Sequence, residues 1–319
     1  MSPRARVLAV VTTAAVLVVA AVVAGALLQS DGAGAKAPSA APPLHLGVFP
    51  GEPHARELIA AERDYERGER EISLREFQAV LRADSESVEA AVGAALAAWP
   101  EGSLERLRAL VESHPRSGVA RLHLGLALDA AGDRKRAEQE WREAEARDPD
   151  GPAALQSESL LHPNMAPGRP FFITTAQPPA SLQKLGTAAQ EAALRRRAER
   201  GGPMDWLVLG TFLQRIERPI SARRAYDRAL ELAPESLSAR AAAAVVRFDK
   251  DDPADAFSRL GPLARDHTRS SLLRFHLGLL LLWIQAVDEA TKQLELATQG
   301  NGRFYARQAE ELLSRLAQN

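Results

Sequence analysis

Apolar positions along the chain fall into two regimes. From Val7 to Leu28 they are nearly continuous, broken only by Thr12 and Thr13. From about residue 54 to the C-terminus they recur every three or four residues, the spacing that puts one apolar stripe on a helix. The stretch beginning at Pro219 shows it well: Ala222, Ala225, Tyr226, Ala229, Leu230 and Ala233 share one face. Pro203 and Pro219 suit first helical turns, where no amide donor is needed. Ser73 and Glu76 have the spacing of a capping box, which predicts a helix start there. Residues 30–53 are rich in Ala, Gly and Pro and offer too little apolar surface to bury, so a flexible linker is expected.

A longer period overlies the helical one. Gly210 is followed at fixed spacings by Ala222, Tyr226, Ala229 and Pro234, with Trp206 and Leu209 before it. The same ladder runs through Leu124, Gly125, Ala137, Trp141, Ala144 and Pro149. It recurs through Ala244, Ala256, Leu260, Leu263 and Thr268, and again through Gly278, Ala290, Leu294, Ala297 and Gly302. A small residue inside each of two helices lets their backbones approach, and the large residue one turn on fills the groove between them.

These residues resemble the tetratricopeptide repeat, a helix–turn–helix unit of about 34 residues. Frames 118–151, 203–236, 237–270 and 271–304 match well, 84–117 loosely, and a degenerate pair fits 54–83. The expected fold is all-α, a helical-hairpin solenoid preceded by a single N-terminal transmembrane helix. Its parts are an anchor or signal at 1–29, the linker at 30–53 and N-terminal repeats at 54–151. An irregular repeat at 152–202, three repeats at 203–304 and a capping helix at 305–319 complete it. Tyr305, Ala309, Leu312, Leu313 and Leu316 give the cap one apolar stripe.

In the irregular repeat a helix at about 153–161 and another at about 181–200 are separated by a Pro-rich loop carrying Phe171 and Phe172. Insertions in repeat arrays emerge on one face, so these aromatics either seal the array or meet a partner. The family resemblance implies that ligands meet the inner faces of the first helices. Carried over by frame, these positions are Leu207, Thr211 and Gln214, then Ala241, Val245 and Phe248, then Phe275, Leu279 and Leu282. In frame 118–151 they are Leu122, Leu126 and Asp129. The Lys and Asn with which some family members hold a C-terminal carboxylate are missing from these positions. The expected partner is therefore a protein or peptide presenting an apolar segment or amphipathic helix, unless the 162–180 loop already covers the face. Leu272–Ile284 is apolar almost all round, which calls for burial or for a homo-oligomer built through it.

The run from Val7 to Leu28 would reach roughly 33 Å as a helix, enough for a hydrocarbon core of about 30 Å. Arg4 and Arg6 before it predict a cytoplasmic N-terminus and an extracytoplasmic repeat domain. The alternative is a cleaved signal, with small-residue sites at Ala24–Ala26 or Ala35–Ala37, leaving a secreted or periplasmic protein.

Composition narrows the function. The formal net charge of −1 gives no general attraction to nucleic acid. The cluster Arg195, Arg196, Arg197 and Arg200 reads as cations at a helix C-terminus. There is no cysteine, which removes disulfides, thiolate metal sites and lipidation of a lipoprotein cysteine. Nucleophile-elbow, phosphate-loop, H-E-x-x-H and dinucleotide motifs do not occur. His123 and His276, each two residues before a repeat glycine, read as exposed or partly buried helix residues. Asp251-Asp252-Pro253 reads as a helix-start turn. No cofactor, metal or catalytic residue is expected. The function expected is a membrane-tethered interaction scaffold that supports assembly, secretion or maturation of envelope proteins; an enzyme accessory role through the 152–202 insertion is a further alternative.

Overall fold

The structure is a computed structural model and describes residues 40–318. The anchor or signal expected at 1–29, and residues 30–39 of the linker, lie outside the described residues. Fifteen α-helices form among those described, and most pair into hairpins. They are α1 (Ala55–Glu66) with α2 (Arg70–Ala83), α3 (Val88–Ala97) with α4 (Ser103–Ser113), and α5 (Gly118–Ala130) with α6 (Arg134–Arg147). The split repeat supplies α7 (Pro152–Leu161) and α8 (Thr187–Arg200). Then come α9 (Pro203–Arg215) with α10 (Pro219–Leu232), α11 (Leu237–Val245) with α12 (Ala254–Asp266), and α13 (Ser271–Trp283) with α14 (Val287–Thr298). α15 (Arg303–Leu316) closes the array. No helix among the described residues is long and apolar enough to cross a membrane.

Local chemistry starts the first helices. Ser87, Ser117, Ser236 and Ser270 each accept the amide three residues on, capping α3, α5, α11 and α13. Pro152, Pro203 and Pro219 occupy first turns. The capping box expected at Ser73 is not one, because α2 has already begun at Arg70. Ser73 is instead the small residue that lets α2 approach α1; its hydroxyl is buried and donates to the Ala61 carbonyl. Inside frames 118–151, 203–236 and 271–304 the small and large ladder residues meet as the spacing predicts. A Cβ on Gly125 would enter the Trp141 ring, and one on Gly210 the Tyr226 ring.

Two separate apolar clusters result, one from Leu44 to Ala153 and one from Ala166 to Leu312. The break lies at the split repeat, where α7 packs on neither α8 nor α9. The apolar helix α13 is covered by its own chain: Leu273, Phe275, Leu279, Leu280, Leu282 and Trp283 are buried, and Leu272, Leu277 and Leu281 half-buried. Most of the apolar surface of this helix is thus packed within the chain itself.

The flexible linker expected across 30–53 is corrected for its second half. Pro42, Leu44 and Leu46 are buried while Pro43 is exposed and His45 intermediate, the period-two alternation of an extended segment lying on a surface. The composition argument failed because two leucines and a proline, placed two apart, suffice when a preformed groove supplies the opposing surface.

Candidate functional site

The inner face of the array, lined by the first helices of the hairpins, is occupied by two extended stretches of the same chain. Residues 40–48 lie on the N-terminal half, and residues 166–176 lie on the C-terminal half. Each is held largely through its main chain.

In the N-terminal half the Tyr65 hydroxyl of α1 donates to the Pro42 carbonyl at 2.5 Å. The Leu46 amide donates to Glu62 of α1 at 2.9 Å. Between them the His45 amide donates to Nε2 of His123 on α5 at 3.0 Å. The other ring nitrogen of His123, Nδ1, lies 2.7 Å from the Val119 carbonyl, one turn back on the same helix. A carbonyl only accepts, so Nδ1 carries the proton and Nε2 is free to receive the amide.

The C-terminal half repeats the device. The Ile173 amide donates to Nε2 of His276 at 2.9 Å, and Nδ1 of His276 lies 2.8 Å from the Leu272 carbonyl. The Phe172 amide donates to Gln214 at 3.2 Å, and the Tyr305 hydroxyl donates to the Ile173 carbonyl at 3.0 Å. Phe172 stacks on His276 with ring centroids 4.8 Å apart and meets Tyr226 edge-on. Further along, Trp283 donates its indole N–H to the Gly168 carbonyl, and its own carbonyl accepts the Ala166 amide.

Both histidines are fully buried, and burial pushes each imidazole down to about 4, so both are neutral acceptors at neutral pH. Glu62 moves the other way, its carboxyl raised by burial. The expectation that His123 and His276 are exposed or partly buried is overturned. Their signal was present in the chain: each is the sixth residue of a 34-residue frame. A histidine recurring at one frame position marks a repeated contact, which a reading of single residues misses.

The inner-face residues expected to meet a partner take several places. Leu207, Ala241, Val245, Phe248, Phe275, Leu279 and Leu282 are buried, as are Leu122 and Leu126, while Asp129 is exposed. Gln214 is buried and receives the Phe172 amide. Thr211 is half-buried and donates to the Leu207 carbonyl. Phe172 is buried and Phe171 half-buried. The 162–180 loop therefore covers much of this face, the alternative that the sequence left open.

One stretch between the two docked segments stays open. A cavity of about 220 Å³ is lined there by Phe171, Gln214, Val245 and Phe248 of the expected set, with His45, Gln156, Arg169 and Trp283 among the others. Its polar rim is paired within the chain. Arg169 meets Glu158 at 2.8 Å and Asp249 at 3.1 Å, Arg218 meets Asp150 at 3.1 Å, and His45 lies 3.8 Å from Glu217. The Glu217 carboxylate raises the His45 imidazole above its ordinary value. Glu145, near the Glu158 carboxylate, is raised to about 7, mainly by burial, and Lys250 is lowered to about 8 by burial. The cavity suits an apolar side chain and leaves no unpaired charge on the rim to select an ionic one.

Comparison with family models and with curated proteins finds no match. Among solved structures the chain is similar to TTC0263, a thermophilic TPR protein in Thermus thermophilus, at 20% identity and a TM-score of 0.29, covering 61% of this chain and 98% of that one. It is similar to YrrB, a TPR protein with an unusual peptide-binding site, at 15% identity and a TM-score of 0.32, covering 66% and 100%. A tetratricopeptide repeat protein from Parabacteroides merdae ATCC 43184 shows 12% identity and a TM-score of 0.33, covering 83% and 98%. At these values the description rests on the hairpins themselves, whose frames and ladder contacts make the fold tetratricopeptide-like.

Proposed function

We propose that this chain is an interaction scaffold, tethered outside the cytoplasm by its N-terminal apolar run, that holds polypeptide partners during assembly, secretion or maturation of envelope proteins. The observation that carries the binding part is the inner face itself. Twice it takes extended chain by its amides and carbonyls and buries alternate side chains, which is how a protein surface recognises a peptide. The reading is of a binding protein rather than an enzyme. The tether is supported by the apolar run after Arg4 and Arg6; cleavage of that run would leave the same scaffold secreted or periplasmic.

Photocrosslinking in native membranes tests the binding part. A photoreactive residue at Gln156 or Phe171, on the open cavity, is expected to yield one reproducible protein adduct, and its absence would count against the scaffold. A C-terminal reporter active only in the cytoplasm would overturn the topology.

A further inference from the structure

The two docked segments share a register. When His45 and Ile173 are aligned through their bonds to His123 and His276, Pro42 falls on Pro170, Leu44 on Phe172 and Leu46 on Thr174. All six of these residues are buried. One half-array therefore reads Pro-x-Leu-x-Leu and the other Pro-x-Phe-x-Thr, each with a neutral histidine receiving the amide between the last two buried positions.

The two segments are not equally fixed. Residues 166–176 are anchored at both ends between α7 and α8, and Phe172 sits against the rings of Tyr226 and His276. Residues 40–46 lead into the array through a short run containing Gly47 and Gly51. Both glycines have left-handed backbones, at φ 67° and 97°, which glycine adopts without a Cβ penalty. Between them the Pro50 carbonyl accepts from the amide and hydroxyl of Thr187, which fixes the far end of the run. Beside residues 40–44 lies an open cleft of about 670 Å³, lined also by Tyr65, Arg70 and Trp99. Nε1 of Trp99, on a residue only 5% exposed, has no acceptor among the described residues.

We propose that residues 40–46 are a displaceable occupant of the N-terminal groove, and that the partner is an extended polypeptide with the Pro-x-Leu-x-Leu pattern that takes their place. The proposal rests on the scaffold reading and names its ligand. The partner enters through the cleft beside residues 40–44. It then pairs with Tyr65, His123 and Glu62 as residues 40–46 swing out about Gly47. No bond is made or broken beyond these hydrogen bonds.

The test uses the full-length protein and a fluorescent synthetic peptide of residues 40–50. In the variant Leu44→Asp/Leu46→Asp the internal occupant is disabled, and this protein should bind the peptide by fluorescence anisotropy. The unaltered protein should bind it roughly 10–100-fold more weakly, because its tethered segment competes at an effective concentration on the order of millimolar. A peptide carrying the same two Asp replacements should bind neither. A variant that keeps wild-type helicity yet binds the peptide no better than the unaltered protein overturns the proposal. If the variant loses helicity, native-state hydrogen exchange decides on the unaltered protein. The His45 and Leu46 amides should exchange through a local opening, well ahead of the core amides of α5. Exchange of these amides only together with that core overturns the proposal. Either failure leaves the scaffold reading to its own crosslinking test at Gln156, which reads the cavity and not this groove.

Discussion

Replacing His276 with glutamine tests the two-sided histidine that the C-terminal half depends on. The side chain is fully buried, donates from Nδ1 to Leu272 and accepts the Ile173 amide at Nε2. Glutamine can keep an acceptor near the amide but loses the bond to Leu272 and the stacking on Phe172. At about pH 7.5 the variant should therefore be roughly 1–3 kcal/mol less stable. The informative quantity is how that difference moves with pH. Burial holds the folded imidazole at about 4 against an ordinary value of 6.5. A depressed folded value means that the unfolded chain takes up the proton first. Its contribution is therefore complete above about pH 6.5 and disappears as the pH falls toward about 4. The difference between 6.5 and about 4 corresponds to about 3 kcal/mol, at a slope near 1.4 kcal/mol per pH unit in mid-window.

Urea unfolding of wild type and His276→Gln, followed by tryptophan fluorescence between about pH 7.5 and about pH 4.5, gives the difference directly. Carboxylates that titrate in the same range, Glu145 among them, are common to both proteins and cancel. The stability advantage of wild type should shrink steadily below about pH 6.5 and approach zero or reverse near the bottom of the range. A difference that stays constant with pH would refute the assignment of His276 as a buried neutral acceptor. The same experiment on His123→Gln should show the same window, since burial lowers that imidazole equally.

Four further outcomes follow from other contacts. Gly210→Val places a side chain inside the Tyr226 ring and should lower stability by roughly 1–3 kcal/mol or more in thermal unfolding, with a parallel loss for Gly125→Val against Trp141. Tyr226→Phe removes the hydroxyl that donates to Gln214, which also receives the Phe172 amide; a loss of about 1 kcal/mol is expected by denaturant titration. Arg169→Ala leaves the buried Glu158 carboxylate without its partner and should lower stability by roughly 3–5 kcal/mol, with much of the loss recovered in Arg169→Ala/Glu158→Gln. Glu145 has a folded value raised to about 7, so its contribution is present at low pH and lost as the pH rises through 7; Glu145→Gln should gain stability relative to wild type above that pH in the same unfolding assay.

The helical hairpins were legible because their signal is local and repeated. Gly210 with Tyr226 and Gly125 with Trp141 pack as their spacing implies, and the Ser caps fall just before first helices. The split repeat was legible only in part: α7 begins at Pro152 and α8 ends at Arg200, close to the expected bounds, but α8 starts at Thr187 rather than near 181 and does not pack on α7. What fills the inner face was not. Leu44, Leu46 and Phe172 sit in stretches without helical periodicity, and their burial depends on grooves assembled from residues far away in the chain, as Phe172 on His276 shows. His45 meets His123, and Ile173 meets His276, across separations for which a single sequence holds no local signal. Ser73 misled for the complementary reason, since a serine three residues before a glutamate suits both a helix start and a close helix crossing.

The insertion also explains why the array divides. In an unbroken solenoid α7 would lean on α9 and the apolar face would continue, but the loop from α7 to α8 turns back across the C-terminal half. The seam that remains is mainly polar. Asp150 accepts from the amide and hydroxyl of Ser221 and from Arg218, while Glu158 accepts from Arg169 and the Lys250 amide. These partly buried polar contacts, rather than one continuous apolar cluster, join the two halves. Residues 40–50 cross it: Leu44 and Leu46 belong to the first apolar cluster, Phe49 packs on the second, and Pro50 is held by Thr187. His45 adds a contact with Glu217 on the far side. The segment that occupies the N-terminal groove is thus also a fastener between the halves, and a partner that displaces residues 40–46 removes the His45 contact at the same time. Occupancy of the groove and the firmness of the seam are coupled through this one short segment, without any change in the hairpins themselves.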